Sequence, residues 1–126
     1  MKLSDSKVGA AVAVTDMSRA IDFYEGKLGL SSAGDEADGG RSYLCGDGTA
    51  IHVFPSASAR ASGATVAGFI VDDVDATVDE LIGQGVVFEQ YAEPFSTDER
   101  GVARLGDMSG AWFKDPDGNV LSVGDR

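Results

Sequence analysis

Apolar and polar positions along this chain follow two patterns, and the succession of patterns occurs twice. In Val12 to Lys27 (VAVTDMSRAIDFYEGK) an apolar run gives way to an acidic junction. Beyond it Met17, Ala20, Ile21, Tyr24 and Leu28 recur at helical spacing. Phe69 to Gln84 (FIVDDVDATVDELIGQ) repeats this with Val74, Val78, Leu81 and Ile82, at an offset of 57 residues that sets Asp73 where Asp16 stands. Each segment predicts a strand followed by a helix with one buried stripe. Asp16 and Asp73 stand where a carboxylate can accept hydrogen bonds from the free amides of the first turn. Gly29 and Gly85 stand where a left-handed residue ends the helix.

A second repeat, at an offset of 70, relates Tyr43–Phe54 (YLCGDGTAIHVF) to Phe113–Gly124 (FKDPDGNVLSVG). Both predict hairpins turning at Asp47-Gly48 and Asp117-Gly118, because Gly accepts the positive φ of a tight turn. The order strand, helix, three strands, done twice, predicts an α+β domain. Two βαβββ modules, 1–56 and 64–126, are joined by a small-residue linker, 57–63, and close into a curved mixed sheet around a cavity. With two-residue turns, Tyr43 lies opposite His52 and Phe113 opposite Ser122. Alternation adds Arg41, Ala50, Phe54, Ala111 and Val120 to the cavity face and gives Trp112 and Lys114 the other parity. Gly9, Ala11, Val66 and Gly68 form the floor, small enough to leave room for a ligand. The stretch from Tyr91 to Gly110 is too polar to be a core strand throughout. It reads as a lid or rim carrying Tyr91 and Phe95, with Asp98, Glu99, Arg100 and Asp107 as solvated charges.

Composition narrows the partners. A chain of 126 residues, 43% hydrophobic and 25% charged, is expected to fold around one core. Its net charge of −11 repels a phosphate backbone, which argues against nucleic acid, and attracts cationic small molecules. The single Cys45 has no partner for an internal disulfide, which fits a reducing, cytoplasmic setting. No His or Lys near it in sequence would activate the thiol, so it reads as a bystander. No apolar stretch is long enough for a membrane span, and Val8–Val14 reads as a strand rather than a signal segment.

The segments VAVTDMSRAIDFYEGKLGL (12–30), GFIVDDVDATVDELIGQGVVFE (68–89) and AWFKDPDGNVLSV (111–123) together resemble the vicinal oxygen chelate superfamily. That superfamily includes glyoxalase I, extradiol dioxygenases, fosfomycin-resistance enzymes and bleomycin-binding proteins. The resemblance implies the glyoxalase/bleomycin-resistance fold, a homodimer, and in members doing metal chemistry four ligand positions. These are a His early in each module's first strand, a carboxylate in the last strand of the second module, and a fourth ligand from the last strand of the first. In this sequence they fall on Gly9, Val66, Ser122 and His52. A lone imidazole does not make a divalent-metal site, which takes about three or four N, O or S donors, so neither metal nor other cofactor is expected.

The resulting expectation is a metal-independent protein that binds a small organic molecule, aromatic or cationic, and sequesters an antibiotic or secondary metabolite. Its candidate ligand-binding residues are Arg41, Tyr43, His52, Phe54, Tyr91, Phe95, Phe113 and Ser122. Tyr43, Phe54 and Phe113 read either as an aromatic cage or as core packing. The alternative is a metal-independent isomerase, cyclase or lyase, with His52 as general base and Tyr43 or Arg41 stabilising developing negative charge. A third reading, metal-dependent glyoxalase or dioxygenase chemistry, requires stoichiometric metal.

Overall fold

The structure, a computed structural model that describes residues 2–126, turns the sequence repeat into a repeated topology. The first half comprises β1 (Ala10–Val14), α1 (Met17–Ile21), β2 (Ser32–Asp35), β3 (Arg41–Leu44) and β4 (Ala50–Pro55). The second comprises β5 (Thr65–Ile70), α2 (Val74–Gly83), β6 (Val102–Leu105), β7 (Met108–Lys114) and β8 (Val120–Gly124). The two four-stranded sheets run β1-β4-β3-β2 and β5-β8-β7-β6, each with its opening strand parallel to its last and the other pairs antiparallel. A parallel pair needs a long crossover; in each module the helix carries the chain to the far edge of the sheet, and the next two strands lead it back beside the opening strand.

Local chemistry starts and stops both helices as the sequence predicts. The Asp16 carboxylate accepts the Arg19 N–H at 3.2 Å and the Asp73 carboxylate accepts the Ala76 N–H at 3.0 Å. Past the helices, Gly29 and Gly85 take φ of 73° and 96°. α1 runs on into a wider π-type turn over Asp22–Lys27, which buries Phe23 and Tyr24 on adjacent positions. In α2 Val74 and Val78 are buried, whereas Ile82 lies outside the stripe and is exposed.

The core fills the space between the helices and one face of the sheets. Val12, Val14, Tyr43, Ile51 and Val53 line it from the first module, and Ala111, Phe113, Leu121 and Val123 from the second. Phe113 sits against Phe23 and Phe88, with ring centroids 6.1 and 5.5 Å apart.

Both hairpins depart from the predicted register by one residue. The ladder pairs Ser42 with His52 and Tyr43 with Ile51, and pairs Trp112 with Ser122 and Phe113 with Leu121. In the second hairpin the Asp115 N–H bonds the Asn119 carbonyl and the Gly118 N–H bonds the Asp115 carbonyl, leaving a three-residue loop with Gly118 at φ 86°. In the first, the Cys45 N–H bonds the Thr49 carbonyl around Gly46, Asp47 and Gly48. Each odd residue flips the preceding strand onto the opposite face. Arg41, Tyr43, Ala111 and Phe113 therefore point to the helix side, and Trp112 and Lys114 share the face of Ser122.

The predicted lid is shorter than the sequence suggests. Its second half forms β6, joined to β7 through Gly106 and Asp107 with Leu105 paired to Met108. Val102 and Ala103 are buried there while Arg104 and Leu105 are exposed, so an edge strand with one covered end accounts for the mixed polarity.

The turn between β7 and β8 also fastens the modules together. The buried Asp115 carboxylate accepts hydrogen bonds from the Tyr24 hydroxyl, the Asn119 amide and the backbone N–H groups of Asp117 and Asn119, all at 2.9 Å. The Asn119 amide also donates to the Ala13 carbonyl at 2.9 Å, and the Asp117 carboxylate accepts from the Thr15 N–H and, at 2.6 Å, from its hydroxyl. One turn of the second module thus grips the end of β1 and the first helix.

Candidate functional site: the open sheet face

The sheet face away from the helices carries alternate residues of the inner strands. Ala11 and Ala13 lie beside His52 and Phe54, and Gly68 lies beside Ser122. A Cβ on Gly68 would stand 2.7 Å from Ser122 Oγ, so only glycine leaves that hydroxyl its present place. β5 bulges at Val66, where Thr65 and Ala67 pair with the consecutive residues Val120 and Leu121.

Around His52 the structure gathers polar groups that the sequence pattern does not connect. His52 Nε2 lies 2.7 Å from Asp38 Oδ2, and Nδ1 lies 3.4 Å from Ser42 Oγ, which donates to Glu36 at 2.9 Å. Phe54 stacks on the imidazole with ring centroids 5.6 Å apart. Asp38 also accepts the Gly40 N–H at 2.8 Å. The His52 bond first, and the Gly40 amide second, hold the Asp38 carboxyl below the usual range. The result is an imidazole oriented by a carboxylate at the edge of an open groove.

A second concavity lies on the same face of the second module. Tyr91, Glu93, Pro94, Phe95, Trp112 and Val120 border an open concavity of about 280 Å³ together with the strand entry Gly63–Thr65. Tyr91 and Trp112 meet edge to face, with centroids 5.8 Å apart and planes at 71°. The rim loop has a defined shape because the Tyr91 N–H bonds Thr97 Oγ1 at 2.8 Å and the Thr97 N–H bonds the Tyr91 carbonyl at 3.0 Å. Its far end is tied to α2, where Arg100 bonds both Asp75 and Asp79. Asp98 accepts the Arg100 and Val102 amides, so Asp98 and Arg100 are anchors rather than the solvated charges the sequence suggests.

The sequence-based candidates divide accordingly. His52, Phe54 and Ser122 stay on the open face, and Tyr91 and Phe95 line its aromatic concavity. Arg41 and Tyr43 are turned to the helix side, where both donate to Glu25, at 2.7 and 2.9 Å. The bonds from Arg41 and then Tyr43 lower the Glu25 carboxyl, while burial and the Glu25 bond push Tyr43 up to about 12. Phe113 is fully buried in the core. Of the expected cage of Tyr43, Phe54 and Phe113, only Phe54 is on the open face. Trp112 replaces Phe113 there, and Ser42, Asp38 and Glu93 are additions. Trp112 is legible in principle: Asp115, Pro116 and Gly118 have the order Asp, Pro, X, Gly that favours a type I turn ending in a left-handed glycine. Cys45 is half-buried, and burial raises its thiol, consistent with a bystander.

A smaller, apolar cavity of about 140 Å³ lies on the helix side among Leu28, Leu30, Phe69, Leu81 and Phe113. Among the described residues none that lines it is charged.

Residues 8–123 match the family model described as the Glyoxalase/Bleomycin resistance protein/Dioxygenase superfamily. The chain belongs to that superfamily. Solved structures with the same fold include a glyoxalase/bleomycin resistance protein from Catenulispora acidiphila, with 21% identity and a TM-score of 0.67 over 94% of this chain and 96% of that one. A genomically encoded fosfomycin resistance protein from Listeria monocytogenes has 14% identity and a TM-score of 0.66 over 94% and 91%. A lactoylglutathione lyase from Agrobacterium tumefaciens has 19% identity and a TM-score of 0.63 over 94% and 92%. Such identities show a shared fold and nothing finer. Among curated proteins nothing matches the chain.

The superfamily raises the question of a metal, and the donor set here does not fit one. Gly9 has no side chain, Val66 is aliphatic, Ser122 offers only a neutral hydroxyl, and His52 Nε2 already faces Asp38. Among the described residues no group of three or more His, Cys, Asp or Glu is placed to hold an ion. Among the described residues no helix is long and apolar enough to cross a membrane.

Proposed function

We propose that this protein binds a small organic molecule on its open sheet face without a metal and holds it away from solution, as in sequestration of an antibiotic or secondary metabolite. The carrying observation is one cavity walled by Tyr91, Phe95 and Trp112 on the same face whose family ligand positions hold Gly9, Val66 and Ser122. Such a cavity, mostly apolar with a few polar groups beside it, has the composition of a ligand site. Ser122, His52 and Phe54 share the open face but lie outside the lining of this cavity, and in this reading a larger ligand reaches them from it. Resistance as the biological setting is an analogy with the fosfomycin resistance protein that shares the fold.

A second reading has its own support. The His52–Asp38 pair, at 2.7 Å, is the arrangement that orients an imidazole as a general base in a metal-independent isomerase, cyclase or lyase. Because Arg41 and Tyr43 are engaged with Glu25 on the other face, Ser42 is the hydroxyl beside this base.

A homodimer that covers the open face belongs to the proposal. Leu44, Val66 and Ile70 expose 64%, 41% and 78% of their surface on that side, apolar area that a second copy would cover. A cytoplasmic setting completes it.

The test is a thermal-shift and fluorescence titration with a panel of aromatic metabolites, read at Trp112, the chain's one tryptophan. The proposal expects at least one ligand to bind tighter than about 1 mM; a panel without any such ligand sinks it. If a ligand is also converted, His52→Ala separates the readings: loss of turnover with affinity spared favours the enzyme, and equal loss of both favours binding alone.

A further inference from the structure

The aromatic concavity has a chemical bias beyond its size. Tyr91 and Phe95 leave 37% and 40% of their surface exposed beside Trp112, so aromatic surface faces the opening. Tyr91 and Trp112 meet at 71°, making a corner in which one group can touch both rings. Aromatic faces carry negative quadrupole density and attract a cation within about 6 Å of the ring centroid. The charged residue lining the cavity is Glu93, which forms no ion pair among the described residues. Among the described residues no Lys or Arg lines it, and the chain as a whole carries −11.

We infer that the ligand enters this corner with an alkylammonium group, quaternary or protonated, set against Tyr91, Phe95 and Trp112 and neutralised by Glu93. The inference rests on the proposal that the open face binds a small molecule, and it names the ligand's chemical class. A neutral apolar group would gain the same burial, so charge is what separates the two cases. Net negative charge also raises the local concentration of a cation and makes the association weaken with salt.

Choline and 3,3-dimethylbutan-1-ol differ in having nitrogen or carbon at the branched centre, so they have nearly the same shape and different charge. Both are titrated into the protein while Trp112 emission is followed. Choline is expected to bind at least about tenfold tighter than the alcohol. Glu93→Gln is expected to weaken choline several-fold, by about the loss of one charge contact, and to leave the alcohol unchanged. Equal affinity for the two probes overturns the inference but leaves a small-molecule site in place. The inference is overturned in the same way if neither probe changes the emission while a neutral aromatic ligand does. If no member of the wider panel binds, the underlying proposal falls as well.

Discussion

Replacing Tyr24 by phenylalanine tests how the two modules are held together. The side chain is fully buried and its hydroxyl donates to Asp115 Oδ2 at 2.9 Å, across 91 residues of sequence. Burial first, and the neighbouring Asp115 charge next, push the Tyr24 hydroxyl far above the usual phenol range, so it stays a donor throughout the working pH range. Phenylalanine keeps the ring packing on Phe23 and Tyr43 and removes only the donor. A hydrogen bond to a charged group contributes about 1.5–3 kcal/mol, and in the variant Asp115 Oδ2 keeps the Asn119 amide alone. Small domains are stable by roughly 5–15 kcal/mol, so this is a sizeable fraction of the total. At about 4 °C per kcal/mol, the melting temperature should fall by roughly 6–12 °C. Urea unfolding should show a lower midpoint with an unchanged slope. Asp115→Ala should cost more, at least about 3 kcal/mol, since it strands four donors. Thr15→Ala, at an exposed contact to Asp117, should cost less than about 1 kcal/mol. A Tyr24→Phe loss below about 0.5 kcal/mol would refute the view that this clasp stabilises the fold.

Gly40→Ala should destabilise by about 1–3 kcal/mol in urea, because the added Cβ would collide with the Val53 carbonyl and lie 2.8 Å from Phe54 Cα, backbone atoms that cannot turn aside. An unchanged midpoint would contradict that close approach. Asp75 is lowered from 3.8 to about 2 by its bonds to Arg104 first and Arg100 second. Its depressed folded value means this contribution is complete above the unfolded value near 3.8 and is lost as pH falls towards 2. The stability difference between the native protein and Asp75→Asn should therefore shrink across that window, and a difference independent of pH would count against the Arg-anchored rim. Zinc or nickel added to the purified protein should leave the melting temperature unchanged, since a specific ion would raise it in proportion to the logarithm of its excess over Kd.

What the sequence reveals is mostly local. Helix spacing, the Asp16 and Asp73 caps and the Gly29 and Gly85 stops depend on neighbours within one or two turns, and the structure has them in place. The faces of the hairpins hinge on one residue in each turn. A two-residue turn at Asp117-Gly118 would send Phe113 to the cavity and Trp112 away, whereas the Pro116 before it favours the longer loop. β6 is masked in the sequence because Val102 and Ala103 are covered while Arg104 serves Asp75 on the surface. The Glu25–Arg41–Tyr43 cluster and the Asp115 clasp join residues far apart in sequence, and no periodicity reports such pairings. The aromatic concavity combines these cases: Tyr91 and Phe95 are visible as a rim, but their partner Trp112 requires the correct register.

Whether ligand enters on the open face beside Trp112 can be read at the residues themselves. Backbone amide and indole N–H shifts in the isotope-labelled protein, followed during titration with the strongest ligand from the panel, locate binding directly. The Trp112 indole signal and the amides of Tyr91, Phe95 and Val120 are expected to move together and saturate with one affinity. Shifts confined to Leu28, Leu30, Phe69 and Leu81 would place the ligand in the helix-side cavity and contradict entry on the open face.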